Sequence, residues 1–180
     1  MPLPVPDVER ELTHTRRVRY EGYKRVDGLW DIEAHLSDVK NHDYQLKTGV
    51  RRAGQPIHEM WLRLTIDRQL AIVDATASSD AVPYPGSCET IAPAYRKLIG
   101  LNLVRDFRRK ARELLGGTRG CTHLTEMLDG LPTAAIQTFA GEMKEDRGDG
   151  TRPFQLDQCH ALETSSETVK KWYPKWHKAA

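Results

Sequence analysis

Polar and apolar residues alternate in two clear stretches of this chain. Over residues 29–38, Trp30, Ile32, Ala34 and Leu36 fall on one side and Asp31, Glu33, His35 and Ser37 on the other. That period of two marks a half-buried strand. Residues 60–66 repeat it, with Met60, Leu62, Leu64 and Ile66 inward. After a turn at Asp67-Arg68-Gln69, residues 70–76 read as a partner strand, with Ile72 and Asp74 on one face and Ala71, Val73 and Ala75 on the other. Upstream, residues 15–23 are more polar, and Val18, Tyr20 and Tyr23 suit an edge strand. The Asp27-Gly28 pair gives the hairpin signal that joins it to the next strand. Residues 39–49 are polar and are expected to form a loop. Antiparallel strands in succession make a meander with one face free for helices.

The period changes after Asp80. Val82-Pro83-Tyr84-Pro85-Gly86-Ser87 cannot be regular structure, and Cys88 ends this loop. A short helix is expected next, with Pro93 in its first turn and Gly100 as its stop. Asn102 is placed to cap a second helix carrying Leu103, Phe107, Ala111 and Leu114. A third is expected to start at Cys121 and to bury Leu124, Leu128, Leu131, Ala135 and Phe139. Strands first and helices after predict an α+β fold, an antiparallel sheet with three helices packed on one face. Leu62, Leu64, Ile72, Phe107, Leu124 and Leu128 should share its core. Residues 1–14 read as a loose arm, 15–140 as one domain, and 141–180 as a polar loop and peripheral appendage with a possible helix near Trp172.

Composition narrows the function classes. No apolar run approaches the ~18–20 residues that a membrane span needs. The opening Met1-Pro2-Leu3-Pro4-Val5-Pro6 lacks the basic and apolar regions of a signal peptide. Three irregularly spaced cysteines argue against a disulfide framework and for a reducing cytoplasm, where cysteines serve more often as ligands or catalysts. The net charge of +2 does not argue for nucleic acid. Arg105, Arg108, Arg109, Lys110 and Arg112 line one helix face, but without the aromatic residues that single-strand binders use.

The candidate chemistry centres on Gly116-Gly117-Thr118-Arg119-Gly120-Cys121-Thr122-His123. Glycine allows the backbone to bend and approach closely. It delivers a cysteine to a helix start, where the unpaired N–H groups favour a thiolate, with a histidine in the same turn. Cys88 has a similar context, and His58 precedes an inward-facing strand. If these ends converge at one rim, His58, Cys88, Cys121 and His123 form a set suited to zinc, or a partial shell for iron. Glu59 and Glu126 are then candidates for outer-shell groups or a general base. A metalloenzyme acting on a small molecule (a lyase or hydrolase) would use the same site with a coordination position open. A metal-free thiol enzyme would use Cys121 as nucleophile, with His123 or His58 as base. Cys159-His160 is a weaker pair beyond the polar loop.

The order strand, strand, loop-Cys, helix, helix, Cys, helix resembles the U-type iron–sulfur scaffold proteins of the NifU/SufE-like fold. His58 stands where that family has its first cysteine, and Cys88 and Cys121 take the second and third places. The resemblance implies iron–sulfur or sulfur handling and a sulfur- or iron-handling protein partner. Separately, the stretches opening Asp27-Gly28-Leu29-Trp30, Pro56-Ile57-His58-Glu59 and Gly120-Cys121-Thr122-His123 resemble a bacterial family of unknown function, a resemblance that implies no activity.

Overall fold

The computed structural model describes residues 3–140 and 151–179. Strands β1 (His14–Lys24), β2 (Trp30–Lys40), β5 (Pro56–Ile66) and β6 (Ile72–Ala81) form one antiparallel sheet in the order β1-β2-β5-β6. The stretch expected as loop holds the end of β2 and a small hairpin, β3 (Tyr44–Leu46) with β4 (Gly49–Arg51). The alternation read from the sequence is realised directly. Trp30, Ile32, Ala34, Leu36, Met60, Leu62, Leu64 and Ile66 are all buried on the inner face.

β6 departs from its expected pattern. Its register against β5 shifts between Thr65 and Ile66, so that Ile66 pairs with Ile72 and Thr65 with Asp74. The extra residue turns Ile72 and Ala75 both inward. Asp74, expected on the face of Ile72, instead pairs with Arg96 at 3.1 Å.

The helical half follows: a 3-10 segment (Cys88–Leu98), α1 (Phe107–Leu115), α2 (Thr122–Met127) and α3 (Leu131–Phe139). The first expected helix is thus a 3-10 segment, with Pro93 in its interior and Tyr95 and Leu98 buried. The second begins at Phe107, because Asn102 accepts the Val104 N–H into a turn and caps no helix. The third is two helices broken near Gly130. A Cβ on Gly130 would stand 2.4 Å from Tyr20 Cζ, so only glycine lets the α2–α3 junction seat on β1. The Tyr20 hydroxyl donates to the Met127 carbonyl (3.0 Å) at that seat. The six residues expected to share the core, and the run Leu124, Leu128, Leu131, Ala135 and Phe139, are buried. The chain is α+β, with sheet first and helices after.

The basic face of α1 is largely consumed internally. Arg109 pairs with Asp106 and Glu113, Arg112 with Asp129, and Arg108 with the Asp129 carbonyl.

The described residues fall into two compact units that divide at Thr138/Phe139. The second holds α4 (Glu167–Trp172), capped by Ser166, whose hydroxyl accepts the Val169 N–H at 3.2 Å. Most of the expected polar loop, 141–150, lies outside the described residues.

Candidate metal centre

Pairing across the sheet puts three chemically loaded residues in one row. Arg16 of β1 is the register partner of Asp38 in β2, and Asp38 is the partner of His58 in β5. All three continue the inner-face set of their strands. Asp38 follows Leu36 and His58 precedes Met60, so both point to the side that the helices cover. At this end of the sheet the inner face changes from apolar to ionisable. α2 then brings His123 over the row.

Asp38 is 2% exposed, which makes it a buried carboxylate that must be paired. Its Oδ1 accepts from Arg16 Nε (2.8 Å) and contacts His14 Nε2 (3.1 Å). Its Oδ2 accepts from Arg16 Nη2 (2.8 Å) and meets His58 Nδ1 at 3.1 Å. His123 Nε2 stands 3.8 Å from the same Oδ2. The imidazoles of His58 and His123 lie with centroids 3.8 Å apart, tilted by 31°. The carboxylate therefore has a guanidinium and the His14 imidazole on its β1 flank and two further imidazoles on its β5 and α2 flank.

The titration tendencies follow from this arrangement. Burial pushes the Asp38 carboxyl up, but the hydrogen bonds and charge of Arg16, with His58 and His14, outweigh it and hold Asp38 below the usual carboxylate range. Burial, then the neighbouring His123, lowers His58 below the ordinary imidazole value against the pull of Asp38. For Cys121, burial raises the thiol, yet contacts from the His123 ring and the backbone of Leu124 and His123 bring it below the usual value.

The Cys121–His123 segment is fixed from both sides. The Tyr95 hydroxyl accepts the Cys121 N–H (3.1 Å) and lies 3.0 Å from the Cys121 carbonyl and 2.8 Å from Thr125 Oγ1. A Cβ on Gly120 would meet the Leu115 carbonyl oxygen at 2.3 Å. Glycine is thus required there for close approach, as the sequence suggested. Gly120→Ala should displace the start of α2 at a cost of roughly 1–3 kcal/mol. The check is a lowered thermal midpoint together with altered His123 ring signals in NMR.

The sequence-derived set is only partly brought together. Among the described residues, the group of three or more ligand-type side chains with atoms within 4.8 Å of one another is Asp38, His58 and His123. Cys88 is not in it. It opens the 3-10 segment that packs on the far edge strand, β6, with its N–H bonded to the Tyr84 carbonyl (3.1 Å). Cys121 is not in it either, although its Sγ lies 3.9 Å from His123 Nδ1 and 4.0 Å from Met60 Sδ. Glu59 faces the opposite side of the sheet and bonds His35 Nε2 (3.2 Å), whose ring stacks on Trp61. Glu126 reaches the rim through Arg16 Nη1 (2.6 Å). Cys159 is exposed and belongs to the second unit. The sequence reading missed Asp38, Arg16 and His14. The signal for Asp38 was present, as the next inward position of the β2 alternation.

These features define a class: an α+β domain whose four-stranded antiparallel sheet ends, on its helix-covered face, in an Asp/His/Arg row built on the buried Asp38. The chain belongs to the family described as protein of unknown function (DUF2889), whose pattern matches residues 14–137, a span that encloses the whole row. No curated protein and no solved structure matches the chain. The likeness to U-type iron–sulfur scaffolds receives no support from these comparisons.

Proposed function

We propose that the protein binds a single divalent transition-metal ion, zinc or iron, through Asp38, His58 and His123, with coordination positions left for a small-molecule ligand. The observation that carries this reading is the convergence of two imidazole nitrogens on one buried carboxylate oxygen at 3.1 and 3.8 Å. Bonds of ~2.1 Å in tetrahedral geometry place ligand atoms about 3.4 Å apart, between those two values. Two imidazoles and one carboxylate are the donor set of open sites in zinc hydrolases and non-haem iron enzymes. The depressed His58 value supports it further, because a ligand must be a neutral imidazole. Arg16 holds the opposite flank of Asp38, keeping the carboxylate ionised and aimed. Of the set expected from the sequence (His58, Cys88, Cys121 and His123), this reading keeps the two histidines and takes Asp38 in place of the two cysteines.

Three protein ligands favour a metalloenzyme over a closed structural site, since structural zinc is held by four. The free cysteines fit the reducing, cytoplasmic setting expected from the sequence. No described helix is long and apolar enough to cross a membrane.

Calorimetric titration of the full chain with Zn²⁺ at neutral pH should give one ion per chain. Binding should fall away once pH drops below the ordinary imidazole value of about 6.5 and through the depressed value of His58, because protons then compete with the ion for that ring. No Zn²⁺ uptake, or uptake indifferent to that pH window, would overturn the reading.

A further inference from the structure

We infer that Cys121 governs the metal through His123 without ligating it. Its sulfur takes the Nδ1–H of the ring and so fixes the tautomer and orientation in which Nε2 faces the ion. This rests on the metal reading above and adds to it the residue that sets the geometry of the α2 ligand.

The two nitrogens of His123 look in different directions. Nε2 faces Asp38 Oδ2 at 3.8 Å, and Nδ1 faces Cys121 Sγ at 3.9 Å. An ion shared by Asp38, His58 and Nε2 therefore lies beyond a different edge of the ring from the sulfur. In the described geometry Cys121 is an outer partner, not a fourth donor. Imidazoles that bind metals almost always give their other N–H to an acceptor, which settles the tautomer. A thiol sulfur is a soft and weak acceptor, so its effect depends on being held in place.

It is held in place. The Tyr95 hydroxyl engages both the N–H and the carbonyl of Cys121, and Tyr95 is fully buried. Gly120, immediately before it, is pressed against the Leu115 carbonyl. Met60 Sδ, on the inner face of β5, packs 4.0 Å from Sγ. Met60 is two residues from His58 on the same strand face, so one strand both supplies a ligand and backs the sulfur that orients another. The spacing Cys-x-His then has a mechanical reason. At a helix start, it lets the ring of residue 123 lean back toward the side chain of residue 121.

The test uses the full-length protein and Co²⁺ as a spectroscopic probe. Wild type should show d–d bands with no thiolate-to-cobalt charge-transfer band in the near ultraviolet. Cys121→Ala should weaken Co²⁺ binding about 10–100-fold and shift the d–d bands, while the metal-free protein keeps its thermal midpoint. Cys121→Ser, whose hydroxyl can accept the same N–H, should recover most of the affinity and the wild-type band positions. It also serves if the alanine variant fails to fold. A charge-transfer band that vanishes in Cys121→Ser would make Cys121 a direct ligand and overturn the inference. So would a Cys121→Ala protein that binds Co²⁺ with wild-type affinity and spectrum, while His123→Ala does not bind. If the wild type takes up no Co²⁺ at all, the metal reading falls, and this inference falls with it.

Discussion

Asp38→Asn is expected to abolish high-affinity metal binding while leaving the protein folded, though less stable by about 2 kcal/mol. The change keeps the shape of the side chain and removes its charge. Arg16 then loses the carboxylate it grips with two hydrogen bonds of 2.8 Å and retains only Glu126. Removing one partner of a buried ion pair costs roughly 3–5 kcal/mol. The lower figure applies here because a third of Arg16 is exposed, so water can solvate the orphaned cation. The pH dependence should change as well. A carboxyl held below its usual range stabilises the fold above about pH 4 and loses that contribution as pH falls through its depressed native value. His58, also depressed, adds a second loss below about pH 6.5, because the unfolded chain binds the proton more readily. Denaturant titrations of wild type across this range should show both losses. Asp38→Asn should lack the lower one.

Trp30→Ala should do the opposite. Trp30 lies at the other end of the same strand and on the same face, about 26 Å from Asp38 at ~3.3 Å per residue. It is 1% exposed, among the largest of the fully buried side chains. Truncating a buried tryptophan costs roughly 3–5 kcal/mol through lost burial and the cavity left behind. Equilibrium unfolding should show that drop. At temperatures where the variant remains folded, its Zn²⁺ affinity should stay within a few-fold of wild type. Two substitutions on one strand face thus separate folding from binding.

The contrast explains what the sequence disclosed. Strand alternation is local, so Trp30 to Leu36 and Met60 to Ile66 could be placed inward from their spacing alone. The same rule, carried one step further, puts Asp38 inside and His58 with it, and sends Glu59 to the opposite face. Treating Glu59 as a site residue ignored the period that had defined its own strand. What spacing could not disclose was the row Arg16–Asp38–His58, because it depends on strand register between segments far apart in sequence. Cys88 misled for a related reason. A proline-rich loop followed by cysteine looks like a presented ligand, but the direction in which that loop leads the chain is set by packing on β6. The Gly120–Cys121–His123 segment was legible because each of its contacts needs a specific residue type. The break between α2 and α3 was legible too, in Gly130 and in Pro132, which suits the first turn of α3 and not the interior of one long helix, but the apolar spacing was followed through it; the contact of Gly130 with Tyr20 adds what the bend seats against.

The proposed metal site is defined by Asp38, His58 and His123. The most direct measurement is the metal stoichiometry of metal-free protein reloaded with Zn²⁺, compared for wild type, Asp38→Asn, His58→Ala, His123→Ala and Cys88→Ser. The expected result is one ion per chain for wild type and Cys88→Ser, and essentially none for the other three, each confirmed as folded by circular dichroism. Retention of zinc by the aspartate and histidine variants, with loss in Cys88→Ser, would contradict it.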